Sequence, residues 1–149
     1  MIRVQSEDFD VGKELNKLID NNLNIGGVSC FIGLVRDIAD EEVVRSMTLE
    51  HYPEMTQKAL IKIEEEAISR WQLSNTLIIH RFGKLNPGDQ IVLVAAASAH
   101  RKAAIEATQF LIDWLKTKAP FWKLEETHKG NHWVDAIDSD RAAAKSWNK

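Results

Sequence analysis

Two lysines, Lys116 and Lys123, stand seven residues apart in the segment Lys116-Thr117-Lys118-Ala119-Pro120-Phe121-Trp122-Lys123. Pro120 disfavours continued helix in the residue before it, and Phe121 and Trp122 adjoin the second amine. An ammonium is strongly hydrated, so such company is unfavourable for it. A lysine held in a partly desolvated, cation-crowded place loses basicity and can act as nucleophile or proton carrier near neutral pH. The same spacing also fits an ordinary helix end whose lysines are simply solvated.

Ser98-Ala99-His100-Arg101 sets a serine, a histidine and an arginine where a strand gives way to a helix. Free N–H groups at such a junction favour an anion, and Arg101 can grip a phosphate bidentately. The alternative is a Ser98 cap beside exposed basic side chains. Gly33-Leu34-Val35-Arg36 places another arginine at the end of an apolar strand, with Gly33 allowing close backbone approach. His51 falls within an alternating strand pattern, which favours a structural role. The five histidines show no metal-ligand spacing, and neither HExxH nor CxxC occurs, so no metal is expected. The absence of GxGxxG, a Walker loop and a GxSxG elbow removes the usual nucleotide enzymes and serine hydrolases.

Positioning these groups requires a folded core. With 149 residues, 44% hydrophobic and 28% charged, the chain reads as one domain over 1–149. A net charge of -3 argues against a general nucleic-acid binder, so any anion site must be local. Cys30 is the single cysteine; it excludes a disulfide framework and, inside an apolar run, is expected to be buried and inert. The N-terminus does not resemble a secretory signal, and the longest apolar run, 91–97, is too short for a membrane span, so a cytoplasmic protein is expected.

The pattern predicts strands at 2–5, 28–35, 43–52, 76–82 and 90–97, the last two joined across the turn Asn86-Pro87-Gly88-Asp89. Asp8 or Asp10 caps a first helix carrying Val11, Leu15, Leu18 and Ile19 on its inner face. Gly26-Gly27 breaks the chain, and residues 37–42 form an acidic loop. Pro53 opens a second helix with Leu60, Ile63, Ala67 and Trp71 inward. A long helix over 100–118 buries Ala104, Ala107, Leu111 and Leu115. A hairpin of 121–127 with 133–137 turns at Lys129-Gly130, and a helical tail covers 139–147. Two-strand units between helices imply an α+β fold with mostly antiparallel sheets packed against helices.

The blocks FIGLVR (31–36), LEHYPEMTQKAL (49–60), HRFGKLNPGDQIVLV (80–94), SAHR (98–101) and LKTKAPFWKLE (115–125), then WV at 133–134, closely resemble the large, catalytic subunit of molybdopterin synthase. They occur in order over nearly the whole chain. The resemblance implies an α/β hammerhead fold and a homodimer carrying at each end a small ubiquitin-like sulfur-carrier subunit with a C-terminal Gly-Gly thiocarboxylate. It implies transfer of two sulfurs to cyclic pyranopterin monophosphate, giving the dithiolene of molybdopterin in molybdenum cofactor biosynthesis, with no cofactor of the enzyme's own.

Carried over residue by residue, the resemblance makes Lys116 and Lys123 the catalytic lysines. It makes Arg36, His100 and Arg101 pterin and phosphate contacts, with Leu34, Val35, Leu124 and Glu125 lining the same pocket. The chain departs from the family in its acidic 37–42 loop and in Ile137, where relatives often have an arginine. A buried Cys30 would not carry sulfur, which fits sulfur arriving on a partner. His100 and Lys116 are sixteen residues apart, about 24 Å along a helix, so a site using both is expected to be shared across a dimer. The other readings are a noncatalytic module binding a phosphorylated small molecule, which would use Arg36, His100 and Arg101, and a scaffold for a ubiquitin-like partner, which would use the surface at Phe121 and Trp122.

Overall fold

The structure is a computed structural model describing residues 1–39, 42–134 and 138–148. Its strands and helices run β1(Ile2–Gln5), α1(Val11–Ile19), β2(Gly27–Leu34), β3(Ile38–Ala39), β4(Glu42–His51), α2(Pro53–Trp71), β5(Asn75–Arg81), β6(Gly83–Leu85), β7(Gln90–Ser98), α3(Arg101–Thr117), β8(Phe121–Thr127), β9(Gly130–Val134) and α4(Asp138–Lys145). One sheet has the order β1-β5-β7-β2, and the other follows β3-β4-β8-β9 with β6 also pairing β4. Among the described residues only β1 with β5 is parallel; the other pairings are antiparallel. The expected α+β class is therefore found.

The elements follow from local chemistry. Asp10 caps α1, its carboxylate accepting from the Lys13 N–H at 3.1 Å, and Pro53 starts α2 where a missing N–H costs nothing. Leu60, Ile63 and Ala67 of α2 meet Ala107, Phe110 and Leu111 of α3 in the main core, with Ile78 and Val94 from the first sheet. Leu77, Ile79, Leu93 and Ala95 face the other way, onto Leu18 of α1. Strands β5 and β7 are thus covered on both faces, which explains their unbroken apolar runs.

Two glycines answer to packing. A Cβ at Gly26 would lie 2.0 Å from the Ala99 carbonyl oxygen, and one at Gly33 would lie 2.7 Å from Val92 Cγ1. At Gly33 the register also slips, Gly33 facing Val92 but Leu34 facing Gln90. Such a bulge re-aims the residues that follow it. Val35 turns into the core while Leu34 and Arg36 turn outward.

Several expectations are corrected. Cys30 is exposed, because β2 is an edge strand and the stripe Val28, Cys30, Ile32, Leu34 has no covering layer within this chain. Ile19 is exposed at the end of α1. Part of the acidic loop is the short strand β3, with residues 40 and 41 outside the described residues. Strand β6 lies in the expected β5–β7 connection and crosses to the second sheet. Strand β9 begins at Gly130, pairing Thr127, rather than at Trp133. Ile137 lies outside the described residues. Among the described residues no helix is long and apolar enough to cross a membrane.

Candidate active site

Lys116 sits on the last turn of α3, and Lys118, the C-cap, donates its N–H to the Trp114 carbonyl at 2.8 Å. The chain then turns through Ala119 and Pro120 into β8, whose third residue is Lys123. In β8 the odd-numbered residues face inward, so Lys123 and Glu125 share a side. Register places Lys123 opposite Leu49 and Glu125 opposite Met47 of β4.

Both lysines line one cavity of about 490 Å³. Leu34 and Arg36 enter from the bulged end of β2, Trp133 and Val134 from β9, and Asp140 and Arg141 from α4. Four cationic side chains (Arg36, Lys116, Lys123, Arg141) meet two carboxylates (Glu125, Asp140), so the cavity favours an anion. Lys116 is exposed, whereas Lys123 is partly buried. Burial, and then the neighbouring Lys116 charge, push the Lys123 amine from 10.5 down to about 8, against opposing pulls from Asp140 and Glu125. At pH 7 roughly one molecule in ten then holds Lys123 as free amine.

His80, also in the cavity wall, is buried and lies flat on Phe121, with ring centroids 3.7 Å apart and planes 12° apart. Burial above all holds it at about 3, so it is neutral at physiological pH, and the charges of Lys123 and Lys116 act in the same direction. At the rim, Trp122 meets Tyr52 edge-on at 4.8 Å, and both are exposed.

The model of the MoaE protein family matches residues 4–118. The molybdopterin synthase catalytic subunit of Pseudomonas aeruginosa is 53% identical over 148 residues, covering 99% of each chain. That of Escherichia coli is 49% identical over 146 residues, covering 98% of this chain and 97% of the relative. This chain belongs to the family of molybdopterin synthase catalytic subunits. A solved MoaE protein from Burkholderia ambifaria superposes with a TM-score of 0.85 at 48% identity, covering 100% of this chain and 98% of that one.

Of the residues expected from resemblance to this family, the structure gathers Leu34, Arg36, Lys116, Lys123 and Glu125 into one cavity. Val35 is in the core, and the Leu124 side chain is not in the cavity wall. His100 and Arg101 are exposed at the opposite end of α3. His100 rather than Ser98 is the N-cap residue; Ser98 ends β7, buried, and its Oγ accepts from the His100 N–H at 3.4 Å. His51 is structural as expected, tilted against Phe82 and Phe121 and bonded to Thr56 Oγ1 at 3.2 Å.

Sequence reasoning missed His80, Met47, Asp140 and Arg141 as cavity residues. The arginine at 141 had a signal, a basic residue in a tail that must pack somewhere. Nothing in the pattern around His80 marked it.

Proposed function

We propose that this chain transfers sulfur from the thiocarboxylate of a small carrier subunit to a pterin monophosphate, making the dithiolene of molybdopterin. The observation that carries the reading is the convergence of Lys116 and Lys123 in one anion-favouring cavity, with Lys123 poised near neutrality. The carrier's extended tail enters past Trp122 and Tyr52, and its terminal carboxylate or thiocarboxylate meets the cationic cavity. Arg36 and Arg141 offer guanidinium groups to the substrate phosphate.

The chemistry divides into balanced steps. The thiocarboxylate sulfur attacks a carbon of the pterin side chain, a C–S bond forms, and an oxygen leaving group departs with a proton. Hydrolysis of the resulting thioester breaks the acyl C–S bond, leaving sulfur on the pterin and a carboxylate on the carrier. Lys123, as free amine, takes the proton of the attacking water; the Lys116 ammonium stabilises the developing oxyanion. A second carrier repeats the cycle. Cys30 lies on the β2 face rather than among the cavity residues, consistent with sulfur arriving on a partner.

A second copy of the chain completes the site. The uncovered stripe Val28, Cys30, Ile32 and Leu34 runs along β2. Its first end lies by Arg101, since a Cβ on Gly27 would sit 3.8 Å from Arg101 Cα, and its last end opens into the cavity. Packing β2 antiparallel against β2 of a second copy covers the stripe twice. It also brings His100 and Arg101 of one copy toward the cavity of the other, which the length of α3 prevents within one chain. The test is reconstitution with cyclic pyranopterin monophosphate and a thiocarboxylated carrier ending in Gly-Gly. Mass spectrometry should find carrier carboxylate and dithiolene product together; carrier bound without pterin conversion would reject the enzymatic reading.

A further inference from the structure

Helix α4 places Asp140 and Arg141 in the cavity wall, yet little in its own sequence holds it there. It has eight residues, and its only apolar ones are Ala142, Ala143 and Ala144. A helix so short is marginal in water unless tertiary contacts carry it. Those contacts lie just beyond it, at Trp147. The Trp147 indole N–H donates to Asp113 Oδ2 at 2.7 Å, and Asp113, buried on α3, also accepts from Gln109 at Oδ1. The indole meets Trp71 of α2 and Phe110 of α3 edge-on, with ring centroids 5.6 Å apart in each case. Arg70, 4.8 Å over the Phe110 ring, donates to the Trp147 carbonyl at 3.0 Å. A turn ties Trp147 back to α4, its N–H donating to the Ala144 carbonyl at 3.3 Å. Asp140, Ala144 and Trp147 follow at i, i+4 and i+7, the spacing of one helical face, and none of the three is exposed.

We propose that Trp147 is a positioning residue for the cavity: seated against Trp71 and Phe110 and bonded to Asp113, it holds the helix that presents Asp140 and Arg141. Trp147 stands outside the cavity wall, about 10 Å along the helix from Asp140, so it acts through α4 rather than on the substrate. Asp113 lies three residues before Lys116, so α3 carries both a cavity amine and the group to which α4 is tied. The inference rests on the sulfur-transfer reading for the role of Arg141. The charge of Asp140 acts on Lys123, opposing the fall in its basicity. The other groups around that amine are Lys116 from α3 and Glu125 from β8, with Arg36 after β2, His80 from β5 and Arg141 from α4 in the same wall.

The test compares Trp147→Ala, Asp140→Asn and the two combined in the full chain. Side-chain NMR on labelled lysine follows the Lys123 titration without carrier or pterin. Each single variant lowers the midpoint by about half a unit or more. The pair lowers it no further than one alone, because both changes take the same carboxylate away from the amine. In turnover Trp147→Ala raises KM for the pterin about fivefold or more, as Arg141→Ala does, and combining those two adds less than about twofold. An unmoved midpoint in either folded variant, additive drops in the pair, or wild-type KM in folded Trp147→Ala overturns the proposal. Should Trp147→Ala not fold, Trp147→Phe, which keeps a ring and loses the N–H, takes its place, and a wild-type midpoint there overturns it. A wild-type protein that converts no pterin would reject the sulfur-transfer reading, while the NMR midpoints would still decide the anchor.

Discussion

Lys116 and Lys123 reach one cavity from different kinds of element, the last turn of α3 and the third residue of β8, joined by the turn through Pro120. The helix end carries one amine at the surface, and the strand carries the other partly out of water. Burial therefore acts on Lys123. Its amine is lowered to about 8, first by burial and then by its cationic neighbour.

The pH dependence follows directly. A step that uses Lys123 as free amine gains rate as pH rises, with an acid limb near pH 8 in kcat. Lys123→Arg, which stays protonated, removes the limb together with most of the activity. A limb that persists unchanged in a residually active Lys123→Arg protein would contradict the assignment.

The same amine affects stability. Unfolded, Lys123 holds its proton up to about 10.5; folded, only up to about 8. The folded state binds fewer protons between those values, so the unfavourable contribution is full below pH 8 and vanishes as pH climbs to 10.5. Lys123→Met should raise Tm at pH 7 by a few degrees, reflecting about 1 kcal/mol. The difference between variant and wild type should shrink across that window in differential scanning calorimetry. An equal difference at pH 7 and above pH 10.5 would sink the argument.

Gly26 sits where the chain enters β2, its N–H donating to the Ser98 carbonyl at 2.9 Å. Gly26→Ala puts a methyl into the Ala99 carbonyl and forces backbone to move. Chemical denaturation should show a loss of about 2 kcal/mol. The loss should exceed that of Gly12→Ala, where the nearest atom to a new Cβ is a carboxylate oxygen at 3.5 Å.

Ile32 lies in the uncovered stripe of β2. Ile32→Glu should leave far-UV circular dichroism intact, shift sedimentation from dimer to monomer and abolish turnover. Mixing a Lys116→Ala chain with an Arg101→Ala chain should restore one working site per heterodimer. Absence of complementation would count against a shared site.

How far these features were legible depends on what each residue's signal reports. The long helix and its inner face were readable, because Ala104, Ala107 and Leu111 repeat at helical spacing and are buried. Lys116 and Lys123 could be paired because a proline between them forces a turn, and a turn brings neighbours in sequence together. Cys30 was misread because an apolar strand does not say whether a layer covers each face; that depends on strand order, a long-range property. His80 was invisible for a related reason. Its meaning lies in a stack on Phe121, forty-one residues later and in another sheet, and no local period encodes that contact. Strand β6, three residues long, is set by pairing with β4 rather than by its own composition.

Single-turnover sulfur transfer by Lys116→Ala and Lys123→Ala, using thiocarboxylated carrier and cyclic pyranopterin monophosphate beside calorimetric carrier binding, tests the central claim most directly. Each variant should bind carrier within a few-fold of wild type and lose about 100-fold or more in product formation. Near-normal product from either folded variant would contradict the account.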